Sequence, residues 1–304
     1  MNIDDYIWFD GNTDFCEEVD FNICFSGGKD SAYMAYILVQ KGHKIALHFV
    51  NTGMELPGML EYVKRFAAEL EVPIYIWNNP FVTWDTQFYK IRERGRSKGL
   101  MRGFPKITTP CWANRDIKQP IFKVINSLPG QKCIGFAFDE RHRAKADMFQ
   151  SDEYRFPLIE HKIEEKTCRR ELEKLGLLNP LYTYFERLGC FCCPYQSEDS
   201  LRMLHKHFPE QWKEVIDYCN DSPHLFSINF KDPRILEKGF EQQSNLDKWL
   251  VTAAKKKLTM EEIETFNVEN DGYISICKGT PSIPQSQSSY IHSNNCPQPL
   301  LTKI

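Results

Sequence analysis

The run Ile23-Cys24-Phe25-Ser26-Gly27-Gly28-Lys29-Asp30-Ser31-Ala32-Tyr33-Met34 constrains this chain more than any other segment. An apolar stretch enters a glycine pair and leaves as a helix-compatible run, which reads as strand, sharp turn, helix. The glycines allow a tight turn and a close backbone approach to a bound group. Ser26 and Ser31 add hydroxyls. A helix starting near Asp30 directs free amides and its positive dipole end into the turn. Such a cradle suits phosphate. It is not the GxxxxGK[ST] loop, because no four-residue spacer separates the glycines.

The surrounding pattern predicts where this turn sits. Lys44 to Val50 reads as a buried strand ending at Asn51-Thr52-Gly53, and Pro57 to Leu70 has helical spacing with Pro57 suited to a first turn. Pro73 to Trp77 is a third strand, Ile117 to Leu128 a helix, Lys132 to Phe138 a fourth strand and Phe156 to Ile159 a short last one. Alternation with near-continuous apolar strands predicts an α/β chain with a parallel twisted sheet covered by helices on both faces. Ligands of such sheets bind beyond the carboxyl ends of the strands, where the glycine turn, Asn51 to Gly53 and Asp139 all fall.

Ile163 to Leu175, Glu198 to His207, Pro209 to Tyr218 and Leu246 to Lys255 read as helices of a C-terminal helical part, the first closed by Gly176. The expected division is an extension over 1–20, a nucleotide-binding domain over 21–160, a cysteine-bearing helical part over 161–277 and a disordered tail over 278–304, rich in Ser, Pro, Gln and Asn. The 304 residues carry a net charge of −3, so no overall basic field drives nucleic-acid binding. The acidic start lacks an export signal, and no stretch approaches the ~20 apolar residues of a membrane span. A cytoplasmic protein with no membrane contact is expected. Eleven cysteines then suggest metal or redox chemistry rather than a disulfide framework.

Asn78 to Pro110 interrupts the rhythm, and a connection this long is usually functional or mobile. Within it, residues 90–106 hold seven basic side chains and one acidic one. This reads either as a solvated face or as a flexible lid that meets phosphates of a nucleotide or nucleic acid. Arg115 and Lys118 lie three apart at a helix start and are expected to share a face. Arg141 and Arg143 suit a phosphate clamp and Asp139 an Mg²⁺ ligand, with surface ion pairs as the alternative. Lys29 is placed to reach phosphates, while His48, His142 and His161 read as structural.

Gly189-Cys190-Phe191-Cys192-Cys193-Pro194 is the second strong signal. A Cys-x2-Cys turn offers two thiolates to one metal or cluster, and Cys111 is a candidate third ligand. Cys192 ranks as a spare or fourth ligand. Iron–sulfur, zinc, a metal-free redox pair and plain buried cysteines all remain open. His205 and His207 are spaced too closely for a zinc finger.

Ser-Gly-Gly-x-Asp-Ser after a first strand resembles the PP-loop of the ATP pyrophosphatase superfamily. The blocks Asn51 to Glu55, Cys111 to Ile121, Gly135 to Arg143 and Phe156 to Ile159 fall in the order seen in PAPS reductase-like (CysH-like) proteins. Asn179-Pro180-Leu181-Tyr182 and Arg187 to Pro194 resemble a subset similar to the sulfurtransferase component of DNA phosphorothioation, and more distantly tRNA thiolases. The resemblance spans about residues 20–200. It implies an adenine nucleotide alpha-hydrolase-like (HUP-type) fold, with ATP and Mg²⁺ held by Phe25, Ser26, Gly27, Gly28, Lys29, Asp30, Ser31, Asn51, Thr52, Gly53, Gly135, Asp139, Arg141 and Arg143.

It further implies catalysis by Lys29, Asp30, Arg115 and Lys118, and a [4Fe-4S] cluster, or Zn²⁺, on Cys111, Cys190 and Cys193 with Cys192 beside them. The implied reaction is adenylation with pyrophosphate release, used for sulfur transfer to a nucleic acid or nucleotide. A sulfur-donor protein such as a cysteine desulfurase and an oligomer are compatible with it. One departure matters. Sulfonucleotide reductases carry a C-terminal Glu-Cys-Gly-(Leu/Ile)-His run, whereas Cys277 and Cys296 here sit in other contexts. A reductase with another thiol, and a nucleotide-binding accessory protein of a defence or modification complex, are the rival expectations.

Overall fold

The alternating apolar residues of Ile45–Asn51 send side chains to both faces of a sheet, and both faces are covered. In the computed structural model, which describes residues 7–8, 18–95, 97–105, 110–223 and 232–240, six strands form one sheet. They are β1 (Ile7–Trp8), β2 (Phe21–Phe25), β3 (Ile45–Asn51), β4 (Ile74–Asn78), β5 (Gln131–Ile134) and β6 (Tyr154–Arg155). Their order is β1-β4-β3-β2-β5-β6, parallel throughout except for β1 at the edge. From β2 the chain builds outward through β3 and β4, then returns to place β5 on the other side of β2. The reversal makes a topological switch beyond the carboxyl ends of β2 and β5, the place where doubly wound sheets open a crevice for ligands.

Ile45, Leu47 and Phe49 face α1 (Lys29–Gln40) and α2 (Met59–Glu69) in the main core, with Ile23, Met34, Val63 and Phe66. Ala46 and Val50 point the other way and, with Tyr75 and Trp77, pack on Ile121 and Ile125 of α4 (Gln119–Ser127). Period-two alternation along β3 therefore joins two helical layers through one strand. The main core continues through Cys168 and Leu172 of α6 (Glu165–Lys174) to Leu201 and Leu204 of α7 (Glu198–His207) and Trp212 and Val215 of α8 (Pro209–Asp221). Gly176 ends α6 with φ +68, as its sequence position predicts.

Several expectations are corrected. Phe156 to Ile159 is not a strand: the ladder stops at Arg155, and α5 (Pro157–Glu160) follows, because Pro157 lacks the N–H a ladder needs and suits a first helical turn. The strand expected to reach Phe138 ends at Ile134, and a 3-10 segment, Phe138–Lys145, takes over. Pro57 precedes α2 rather than opening it, since Gly58 at φ +85 forms the turn between them. The segment after β4 is no loose lid. It carries α3 (Trp84–Phe88), buries Trp84, Phe88 and Phe104, and folds back through an Ile91–Met101 bridge. Arg96, Lys106, most of the 1–20 extension, the helix expected at 246–255 and the tail from 278 lie outside the described residues. No helix among the described residues is long and apolar enough to cross a membrane.

His48 illustrates how the second layer is held. Trp77 Nε1 donates to His48 Nδ1 at 3.0 Å, so the proton sits on Nε2, which donates to Asn22 Oδ1 at 2.7 Å. Asn22 in turn donates to the Pro129 carbonyl. Burial, with the Lys132 charge adding to it, pushes the His48 pKa down to about 3. Its unfolded value is near ~6.5. The folded form therefore binds fewer protons than the unfolded chain between the two values. The stabilisation is complete above the unfolded pKa and is lost as pH falls toward the folded one. Denaturant unfolding is expected to show declining stability across that acid window, and His48→Gln to flatten the decline while lowering stability at neutral pH.

Candidate functional site

The glycine turn lies at the switch point. Phe25, the last residue of β2, is buried against Phe66 with ring centroids 5.2 Å apart, which anchors the start of the turn. Gly27 has φ +71, and a Cβ there would run into Met59 Sδ, so geometry and space both require glycine. Gly28 has φ −85 and a looser surround. Two serines pin the turn: Ser31 Oγ accepts from the Ser26 amide at 3.2 Å and donates to the Gly28 carbonyl at 3.0 Å. Ser26 Oγ lies 3.0 Å from Ser31 Oγ and accepts the Gly28 amide.

Gly135, expected in the nucleotide site, packs directly on the turn. A Cβ there would lie 2.9 Å from both Cα and N of Ser31. It lets the end of β5 touch the first turn of α1, which sets the helix end against the switch.

Asp30 and Lys29 form the charged part. Asp30 Oδ1 is buried without a hydrogen-bond partner. Burial raises its pKa to about 6, opposed by Lys29 and reinforced by Glu165. Lys29 Nζ is 2.5 Å from Glu165 Oε1 and 3.9 Å from Asp30. Burial works against its charge, but the Glu165 hydrogen bond and nearby acids lift its pKa above the ordinary lysine value. Two residues from the later chain complete the surround: Asn179 Nδ2 donates to the Gly27 carbonyl at 3.0 Å, and the Lys29 amide donates to Tyr182 Oη at 3.0 Å. Residue-by-residue reading missed both. The available signal was Asn179-Pro180, a helix-start pair whose Asn accepts the Leu181 amide.

Asn51, Thr52 and Gly53 sit one strand away, on a cavity of about 290 Å³ shared with Asn78, Trp84 and Glu214. Asn51 bridges to Asn78 Oδ1 and to the Gly53 amide, while Thr52 donates its amide and hydroxyl to Glu55. Asp139 caps α6 by accepting the Glu165 amide, Arg141 lies over Phe138, and Arg143 is paired with Glu140. Arg143 thus carries the surface ion pair named as the alternative, and Arg141 stacks on Phe138. Arg115 is 59 % exposed, binds Asp116 and lines a groove of about 930 Å³ with Lys90, Arg92, Arg94 and Arg102. Lys118 instead lies close enough to Cys190 and Cys193 to lower their thiol pKa values. The expected shared face fails because Ala113–Lys118 is π-helical, with i→i+5 bonding that rotates residues three apart away from each other.

The cysteine turn is zipped to the segment after β3. Phe191 N–H donates to the Met54 carbonyl at 2.9 Å, Cys190 bridges Glu55, and Cys193 N–H closes on the Cys190 carbonyl at 3.0 Å. Cys190 Sγ is 3.7 Å from Thr52 Oγ1. Burial pushes the Cys190 thiol up to about 11, with Lys118 opposing. Cys111 is near enough to Cys193 to influence it, and Cys192 is fully buried, its thiol pushed up by burial and by the nearby Glu214, Cys190, Cys219 and Cys193. Among the described residues no three His, Cys, Asp or Glu side chains are grouped as a metal site. The expected cluster or zinc site on Cys111, Cys190 and Cys193 does not fit this donor arrangement.

No protein-family model matches the chain. An uncharacterized protein of Methanocaldococcus jannaschii is 22 % identical over 206 residues, covering 64 % of this chain and 46 % of that protein. The chain thus spans about half the length of the curated relative it matches. Among solved structures, one described as a predicted subunit of tRNA methyltransferase from Methanocaldococcus jannaschii aligns at 18 % identity and a TM-score of 0.30, covering 52 % of this chain and 89 % of that one. The NH3-dependent NAD synthetase of Campylobacter jejuni aligns at 12 % identity and a TM-score of 0.36, covering 67 % and 84 %. At these scores neither adds to what the strand order shows.

The turn geometry ranks its glycines. Gly27→Ala is expected to destabilise the fold, since forcing a side chain into the left-handed region costs about 1–2 kcal/mol before the Met59 clash is counted. Gly135→Ala is expected to match it by displacing the helix end, and Gly28→Ala to have a smaller effect. Denaturant unfolding of the three variants checks the order.

Proposed function

We propose that the chain is an ATP-binding enzyme of the PP-loop type that cleaves ATP between the α and β phosphates and adenylates a second substrate. The observation that carries this is the Ser26–Ser31 turn at the topological switch, where a helix start, a buried partnerless Asp30 oxygen and Lys29 converge. Loop amides and the α1 dipole favour the pyrophosphate leaving group. The orphaned Asp30 Oδ1 is suited to hold Mg²⁺, which would neutralise phosphate charge. Lys29 supplies a positive charge beside it. The substrate oxygen attacks the α-phosphorus, an O–P bond forms, and the bond to the β-phosphate oxygen breaks with its electrons leaving on pyrophosphate.

The finer reading is sulfur transfer to a nucleic acid or nucleotide. Supporting it, Cys190 abuts Thr52 at the end of β3, next to the strand that carries the loop. The outer sulfur of a donor protein's persulfide would displace AMP from the adenylated carbon, forming C–S as C–O breaks. A second donor thiol would then attack the donor's cysteine sulfur, breaking S–S to release the thiolated product and leaving a disulfide on the donor. Supporting the acceptor, the groove holding Lys90, Arg92, Arg94, Arg102 and Arg115 meets the strand-end cavity, since Val82 lines both.

Product analysis is expected to find pyrophosphate with AMP or an adenylate; ADP and inorganic phosphate would overturn the reading. Because burial raises the Asp30 pKa to about 6 in the metal-free chain and a cation needs the carboxylate, Mg²⁺ affinity should rise as pH passes upward through that value. Asp30→Asn should bind Mg²⁺ weakly at every pH. Lys90→Glu with Arg94→Glu is expected to weaken binding of a single-stranded oligonucleotide. Its salt dependence should flatten by about one unit of log–log slope for each phosphate no longer neutralised. ATP binding should be unchanged.

A further inference from the structure

Tyr182 and Glu165 hold the two donors of Lys29 that a bound polyphosphate also requires. Lys29 is the first residue of α1, so its amide has no partner inside the helix. That amide donates to Tyr182 Oη at 3.0 Å. The hydroxyl stands directly against the turn, 3.4 Å from where a Cβ on Gly28 would be. The Tyr182 residue is only 7 % exposed, and its ring lies between two cations, 5.2 Å from Lys29 Nζ and 5.7 Å from the Arg169 guanidinium carbon. Lys29 Nζ is held at 2.5 Å by Glu165 at the start of α6. An amide has one hydrogen to give, so a phosphate oxygen and the Tyr182 hydroxyl cannot both take it well. An ammonium has three, so the exchange at Glu165 is partial.

We propose that Tyr182 and Glu165 are competitors for the phosphate site, which set nucleotide affinity and make triphosphate binding loosen the Tyr182 side chain from the turn. This rests on the ATP reading of the loop. Asn179 stays on the Gly27 carbonyl, an acceptor that phosphate does not use, so the segment remains tethered while Tyr182 exchanges. Nucleotide occupancy is thereby communicated to the stretch that leads into Cys190, and by linkage any partner that draws Tyr182 away tightens nucleotide binding by the same factor.

The test uses the full chain, titrated calorimetrically with ATP and with pyrophosphate. Tyr182→Phe keeps the ring and its cation contacts but removes the acceptor. It is expected to bind both ligands about threefold to tenfold more tightly, the range of one neutral hydrogen bond. Glu165→Gln, on an exposed helix position, is the second variant and is expected to shift affinity the same way. Hydrogen exchange of the 181–185 amides is expected to accelerate when ATP is added to the unaltered chain. In Tyr182→Phe it should already be fast and insensitive to ATP. Unchanged or weaker ligand binding by Tyr182→Phe, with normal binding by the unaltered chain, overturns the competition and makes Tyr182 a support of the turn. Failure of the unaltered chain to bind either ligand overturns the ATP reading, and this inference with it.

Discussion

The close approach of β5 to the first turn of α1 sets the geometry of the whole site. Only hydrogen stands on Gly135 where a methyl would meet the Ser31 backbone at 2.9 Å. Because β5 lies next to β2, that approach holds the helix end over the crevice opened by the strand reversal. The serine pair then fixes the turn between strand and helix, and Met59 fills the space beside Gly27. Moving any of these parts shifts the amides by distances comparable to a hydrogen bond's tolerance.

The charges around the turn are arranged to be incomplete. Asp30 is half-buried with its Oδ1 buried and unsatisfied, beside Lys29 and the Cys168 thiol and near the charges of Glu165 and Glu140. A buried carboxylate oxygen without a partner is a cost that folding alone does not justify. A cation at that oxygen would remove the cost. Outside the turn, Arg143, Arg141 and Asp139 are each satisfied locally, by Glu140, Phe138 and the Glu165 amide.

The later chain belongs to the site as well as to the core. Asn179 and Tyr182 grip the turn, while the cysteine segment is zipped to the residues after β3. Both attachments sit on the strand-end side of the sheet, so the stretch from 179 to 190 spans from the glycine turn to Thr52. The burial that secures Cys190 also holds its thiol protonated, and Lys118 is the nearby charge that opposes this. Reactivity there depends on what enters beside Lys118.

Local pattern was enough to read the strand–turn–helix unit, the parallel strands, the glycine turn and most helices. Each of these depends on short-range periodicity and on backbone freedom at single positions such as Gly27 and Gly176. Which residues come to share a place was settled by packing alone. Arg115 and Lys118 diverge because a π-helical turn replaced the expected α-turn, and the segment after β4 folded because Trp84, Phe88 and Phe104 found a core. Phe156 to Ile159 became helix because Pro157 could not extend a ladder. Tyr182 is separated from Lys29 by more than 150 residues of chain, and no local pattern announces a hydroxyl that will meet that amide. Long-range pairing depends on how layers stack, and the same apolar periodicity is compatible with many partners.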